Sequence, residues 1–189
     1  MRVACSAVVL AAIATSACSP VSNLRPASGL LDDRRFELGT AGSIIGPRPY
    51  VDEPTTGAAQ LWFSGRATKA LTLTGIASRE PGSFAAGGAA QIRVLKTDRL
   101  ALAPEVELGF VWAALNAGGA VRLVGQTWIY AAPRVGSRGS TWSLEVPAGI
   151  SIHVVDGVQL RAEYRVSWAN ELSYYQQRRI FAAGLAVQF

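Results

Sequence analysis

His153 is the single histidine of the chain, two residues after Ser151 and three before Asp156. A serine, a histidine and a carboxylate within reach of one another can activate a nucleophile, with the imidazole taking the hydroxyl proton. On an extended segment Ser151 and His153 share a face, because strand side chains alternate with a period of two. The Asp156-Gly157 dipeptide follows at once, so a solvated turn histidine is the plainer reading. Glu105 and Glu107 share a face in the same way and have the composition of a glycosidase acid/base pair. Arginines in the same phase make salt-bridge partners the plainer role for them. The glycines of Gly82–Gly88 (GSFAAGG) lack phosphate-loop spacing and read as relief of crowding where a strand bends. Of the two cysteines, Cys5 lies in an apolar leader, which leaves Cys18 alone. One cysteine makes no disulfide, zinc site or thiol couple, and no metal or cofactor is expected.

The segments that position these residues alternate strictly. Val158–Trp168 (VQLRAEYRVSW) sets Val158, Leu160, Ala162, Tyr164, Val166 and Trp168 against Gln159, Arg161, Glu163, Arg165 and Ser167. Thr141–Ile152 repeats this, and Leu100–Ala114 sets Leu108, Phe110 and Trp112 against Glu105 and Glu107. Phe36–Ile45, Phe84–Leu95, Ala120–Ala132 and Ala59–Ser78 are weaker versions, the last long enough to hide a hairpin near Gly65–Lys69. Val155-Asp156-Gly157, Asn116-Ala117-Gly118-Gly119 and Arg79-Glu80-Pro81-Gly82-Ser83 read as turns. Longer polar connections fall at Gly46–Gly57, Pro133–Ser140 and Ala169–Tyr174. The pattern predicts an all-β fold, an antiparallel up-and-down β-barrel of eight strands, or nine if Ala59–Ser78 divides.

Half of the 189 residues are apolar and 16% are charged. That composition excludes disorder and coiled coils. After Arg25 the longest uncharged run is the 14 residues Leu108–Val121, short of the roughly 20 that a helical membrane span needs. The polar face carries Arg66, Arg93, Arg122, Arg161, Arg165 and Arg178 with Glu37, Glu105, Glu107, Glu145 and Glu163. Nearly balanced Arg and Glu without Lys suits a barrel-interior charge network, where charges must pair and guanidinium pairs best. Strands of this length also suit a tilted membrane crossing, which needs about 9 to 11 residues. Turned the other way, the same alternation gives a soluble periplasmic or surface lipoprotein, a lipocalin-like barrel or β-sandwich binding an apolar ligand. Trp112, Leu108 and Val166 would then line the interior, and Arg161 and Arg165 would face water.

Met1-Arg2, the apolar run Val3–Ile13 and the small residues Thr15-Ser16-Ala17 form a secretory signal peptide over residues 1–17. Ala17-Cys18 resembles the end of a bacterial lipobox, although Thr15 stands where that pattern has Leu. The resemblance implies lipidation of Cys18, while an ordinary signal peptidase accepts the same bond. Residues 18–33 read as a polar tether and 34–189 as one barrel domain.

Phe181, Ala183, Leu185, Val187 and Phe189 alternate and close on an aromatic. This last segment resembles the C-terminal assembly signal of bacterial outer-membrane β-barrel proteins, as a motif there and as architecture from Arg34 onward. The resemblance implies an outer-membrane location in a Gram-negative-type cell, with a periplasmic tether. Its partners would be membrane lipids and the barrel-assembly machinery, and its role structural, surface-interacting or that of a narrow channel, without catalysis. Trp112, Trp142, Tyr164, Trp168 and Tyr175 would form the aromatic girdle. Barrels of this kind include lipid A-modifying enzymes that use His and Ser, yet His153 would fall at the periplasmic rim, away from the outer leaflet. Without Arg2 the chain has 17 basic and 13 acidic residues, a net +4. Part of that charge lies in connections at Arg48, Arg79, Arg134 and Arg138, where it could meet lipopolysaccharide phosphates or an extracellular partner. No basic run or aromatic-basic cluster suggests nucleic acid. Mass spectrometry of the mature N-terminus should find Cys18 acylated, and Cys18→Ala should abolish the added mass; an unmodified Cys18 would establish the plain cut.

Overall fold

Alternation closes on itself in the structure, a computed structural model that describes residues 34–47, 52, 54–80, 83–110, 112–138, 141–171 and 174–189. The signal peptide, Cys18, the tether, Arg48 and Pro81-Gly82 lie outside the described residues. Twelve β segments follow in chain order: β1 (Phe36–Ile45), β2 (Thr56–Arg66), β3 (Leu71–Glu80), β4 (Ser83–Ile92), β5 (Leu95–Lys96), β6 (Leu100–Gly109), β7 (Trp112–Arg122), β8 (Thr127–Ala131), β9 (Arg134–Arg138), β10 (Thr141–Val155), β11 (Val158–Glu171) and β12 (Tyr174–Gln188). All pairings are antiparallel, and β12 returns to β1 from Glu37↔Gln188 to Ile45↔Ile180, which closes the ring. We call the end where β1 starts and β12 finishes proximal, and the other distal.

Ten strands make the ring, and β5 and β9 prolong two of them. β5 follows β4 after a one-residue slip between Gln91↔Glu105 and Leu95↔Leu102, a β-bulge. β9 follows β8 across Ala132-Pro133, and both segments pair with β7 and β10. Pro133 has no N–H for the ladder, and neither has Pro147 on the facing strand, so the strand breaks there. The gap is held by Ala132 N donating to Pro147 O at 3.2 Å and by Ala117 N donating to Pro133 O at 2.9 Å.

The expected eight strands are therefore corrected to ten. Ala59–Ser78 divides at residues 67–70, where Thr68 Oγ1 accepts from Ala70 N and Leu71 N at 3.2 and 3.0 Å. Leu100–Ala114 divides after Gly109, with Phe110 86% exposed at the distal end. Asn116-Ala117-Gly118-Gly119 is no turn but the middle of β7. Pro133–Ser140 is no connection either, since Arg134–Arg138 is β9. Asp156-Gly157 does turn the chain, with Gly157 at φ 76°. Arg34 donates to Asp156 there, tying the foot of β1 to the β10–β11 turn and holding the carboxyl below its usual range.

The charged phase faces inward and the aliphatic phase outward. Leu108 is 62% exposed on the outer wall, whereas Arg161 and Arg165 are buried. This is the reverse of an apolar-lined, ligand-binding interior. Trp112 departs from its expected place in the girdle: the turn after Gly109 inverts the phase, and its ring is buried inside. Trp142 and Tyr164 lie on the outer wall with Trp168, which is half-buried; only the backbone of Tyr175 is described.

Interior rings rest on glycine. A Cβ on Gly39 would overlap the Trp62 ring, and one on Gly109 the Trp112 indole. Gly39→Ala and Gly109→Ala should each lower stability by about 1–3 kcal/mol through overpacking, read as an earlier urea midpoint of the folded band. Gly42→Ala, with open space around its Cβ position, should leave the midpoint in place.

Candidate functional site

The interior of a small barrel is filled by the inward half of every strand. Here that half brings together five buried carboxylates, Glu37, Glu105, Glu107, Glu145 and Glu163, and three buried guanidiniums, Arg134, Arg161 and Arg165. They form two clusters at different heights.

The proximal cluster is built on Glu37 of β1. Its carboxylate accepts from Arg161 Nη1 and Nη2 at 3.0 and 2.6 Å, from Trp62 Nε1 at 2.8 Å and from Gln188 Nε2 at 2.6 Å. The Arg161 guanidinium also lies 5.7 Å from the Trp62 ring centroid. Arg161 donates again to Gln159 Oε1, from Nη2 at 2.6 Å and Nε at 3.2 Å. That turns the Gln159 amide nitrogen toward His153 Nε2, 2.6 Å away, while His153 Nδ1 lies 3.1 Å from Gln126 O. Such a chain needs the Nδ1–H tautomer of His153. Ser151 Oγ donates to Gln159 Oε1 at 3.3 Å. Gln159 thus stands between Ser151 and His153, so these bonds do not join hydroxyl to imidazole as nucleophile activation requires.

The distal cluster alternates in charge across the barrel. Glu107 on β6 accepts from Arg134 Nη2 at 2.9 Å, and Arg134 Nη1 lies 3.1 Å from Glu145 Oε2. Glu145 also accepts from Arg165 Nη1 at 2.9 Å, and Arg165 Nη2 donates to Glu163 Oε1 at 2.7 Å. Tyr130 closes the chain on Glu163 Oε2 at 3.2 Å. The Arg134 guanidinium lies 5.5 Å from the Trp112 ring centroid, and Asn116 Nδ2 donates to Glu105 Oε1 at 3.2 Å. Glu105 and Glu107 are therefore held by Asn116 and Arg134, and both are buried.

Of the residues assigned to the interior network from sequence, Glu105, Glu107, Glu145, Arg161, Glu163 and Arg165 lie in these clusters. Arg66, Arg93 and Arg122 are half-buried at the proximal rim, where Arg122 Nε bonds Gly125 O, and Arg178 is half-buried at the distal rim. Arg134, expected in a connection, is instead 1% exposed at the centre of the distal cluster. Its position directly after Pro133 concealed it, because proline reads as the end of a strand. Phe181, Leu185, Val187 and Phe189 lie outward on β12, and Phe189 packs on Phe36 with ring centroids 5.9 Å apart. Among the described residues no group of His, Cys, Asp and Glu is placed to hold a metal ion.

No protein-family model matches the chain, and no curated protein matches it in sequence. Among solved structures it is similar to Neisserial surface protein A, at 15% identity over 84% of this chain and 98% of that one, TM-score 0.40. It is similar to a KdgM porin at 10% identity over 81% and 99%, TM-score 0.48. It is also similar to Ail, the attachment invasion locus protein of Yersinia pestis, at 13% identity over 82% and 97%, TM-score 0.40.

Removing one member of a buried ion pair leaves an uncompensated charge and costs roughly 3–5 kcal/mol. Glu145 serves two arginines, so Glu145→Leu should reach the upper part of that range in urea unfolding. Replacing all five charged members, Glu107, Arg134, Glu145, Arg165 and Glu163, together with apolar residues of similar volume should cost less than Glu145→Leu alone.

Proposed function

We propose that this protein is an integral outer-membrane β-barrel whose lumen is closed by its own side chains, and that it acts through its outer wall and rims. The supporting observation is the orientation of the two faces. Leu, Ile, Val and Phe cover the outside of a closed ring, and paired Arg and Glu fill the inside. In water such a belt would far exceed the few hundred Å² of contiguous apolar surface that a soluble monomer exposes. In a bilayer it is the expected exterior, a band about 25 Å tall. The strands of 10 to 15 residues outside the broken pairs have the length for it. Closure of the lumen is supported by Trp62, Glu107, Arg134, Ser151, Gln159 and Arg165, none more than 1% exposed. Acylation at Cys18 would add a second attachment. A structural or partner-binding role follows more readily than passage or catalysis, because the carboxylates and guanidiniums of both clusters are buried and Gln159 stands between Ser151 and His153.

Outer-membrane fractions should retain the protein through carbonate and salt washes, and its gel band should shift on heating, as folded barrels do. Release by the wash with no heat shift would overturn the membrane reading. In planar bilayers the purified protein should be silent, and a steady ion conductance would overturn the closed lumen.

A further inference from the structure

The outward positions of the described strands are almost uniformly uncharged. Two alone carry charge, Arg79 on β3 and Arg179 on β12. Both are exposed, and neither guanidinium has an ion pair among the described residues. Their partners across the ladder fix the outward direction: Arg79 pairs with Phe84, and Arg179 with Val166. Arg79 lies one residue from the distal end of β3, and Arg179 lies beside Gly46, just past the end of β1, with five residues of β12 still distal to it. No charge occupies an outward strand position at the proximal rim.

A lipid-facing arginine costs about 2–4 kcal/mol at the bilayer midplane and near zero at the interface. Both thus lie in the distal half of the wall, away from the midplane where a cation is most costly. Below Arg179, toward the proximal end, the outer wall is recessed. A shallow, open depression of about 600 Å³ crosses β1, β12, β11 and β10, lined by Gly42, Ala183, Ala162, Leu160, Ile150 and Leu185 among others. Gly42 has open space around its Cβ position. Ala183 lies four residues from Arg179 on the same outward column, roughly 13 Å along the strand at about 3.3 Å per residue.

We propose that this wall binds one phosphorylated lipid of the distal leaflet, with a phosphate on Arg179 and an acyl chain in the depression below it. Arg79 takes a second phosphate of the same head across β1 and β2. Two exposed cations in the distal half of the wall, with no ion pair among the described residues, favour a glycolipid head with phosphates at both ends over a glycerophospholipid with one. Guanidinium suits phosphate because its fork donates two parallel hydrogen bonds. Gly42, Ala183 and Ala162 are then explained, since large aliphatic side chains in their places would fill the seat of the chain.

This inference rests on the membrane-barrel reading, and the test separates the two. The protein is reconstituted in nanodiscs of phosphatidylcholine carrying traces of bis-phosphorylated lipid A, dephosphorylated lipid A or phosphatidylglycerol. Native mass spectrometry then counts retained lipid. One bis-phosphorylated lipid A should be retained per barrel, with the dephosphorylated form and phosphatidylglycerol at least tenfold weaker. Arg179→Gln should weaken retention about tenfold, the loss of one charge-assisted contact worth about 1.4 kcal/mol. Arg79→Gln should weaken it less. Ala183→Trp should abolish retention with both arginines intact; should that variant not fold, Arg179→Lys, which keeps the charge, should retain more bis-phosphorylated lipid A than Arg179→Gln. Equal retention of all three lipids, or retention unchanged by Arg179→Gln, would overturn the site. Arg179-dependent retention of phosphatidylglycerol at the same level would overturn the choice of glycolipid. Failure of the unaltered protein to insert, with no heat shift, would strike the membrane reading instead.

Discussion

The carboxylate of Glu145 is shared between Arg134 and Arg165, and much of the barrel depends on that joint. The three side chains come from β10, β9 and β11, and the backbone registers that bring them together are Glu145↔Arg134 and Pro147↔Arg165. A slip of one residue in either pairing would turn every side chain of a strand to the opposite face. It would put a guanidinium on the apolar wall and leave a buried carboxylate with one partner fewer. Because unpaired buried charge is so costly, the joint acts as a lock on register, and through Glu107 and Glu163 the lock extends to β6 and β11.

In the proposed membrane setting such a lock matters more than in a soluble fold. When the solvent of the outer wall is lipid, an apolar interior would be no better a place for leucine than the exterior, and burial alone would not choose which phase faces in. Charged and hydrogen-bonding side chains supply the choice, because only the lumen offers them partners. The same reasoning accounts for the uneven wall. β9, β10 and β11 carry all three buried guanidiniums with Glu145 and Glu163, whereas β3 and β4 offer Thr72, Thr74, Ala85 and Ala89, and β1 beyond Glu37 offers Ala41 and Ser43. Large groups from one side reach toward small ones on the other, and Trp62 and Trp112 lie flat over glycine. Filling by complementary size closes a ten-stranded ring that would otherwise be wider than an eight-stranded one.

Legibility in the sequence followed the strength of local signals. Alternation runs along β10 as far as the register shift between His153 and Val155, and along β11, and the inward positions of Glu145, Arg161, Glu163 and Arg165 could be read directly. Three errors share a cause, which is that turn chemistry and strand chemistry overlap in a membrane-type wall. Gly118 and Gly119 look like a turn, yet they lie in β7, where Gly119 faces outward. The real turn at Phe110 is apolar and gave no signal, so the phase change that buries Trp112 was invisible. Pro133 looked like the start of a loop, yet it only interrupts a strand whose next residue, Arg134, carries the central charge. Pairings such as Arg161 with Glu37, 124 positions apart, depend on ring closure and have no local trace.

The proposed closure of the lumen would also limit where activity can reside, because a barrel filled by ion pairs has its rims and outer wall with which to meet anything else. On the outer wall the strands β10, β11 and β12 are longer than β1 to β7, so the wall is tallest on the side that carries Arg179 and the depression. That side is also backed by both clusters, since β10 and β11 supply Glu145, Arg161, Glu163 and Arg165. A surface recess keeps its shape only if the wall behind it is stiff, and hydrogen-bonded ion-pair networks stiffen a wall because each bond constrains the others. The interior clusters are therefore also what can hold a small-residue recess open on the outside.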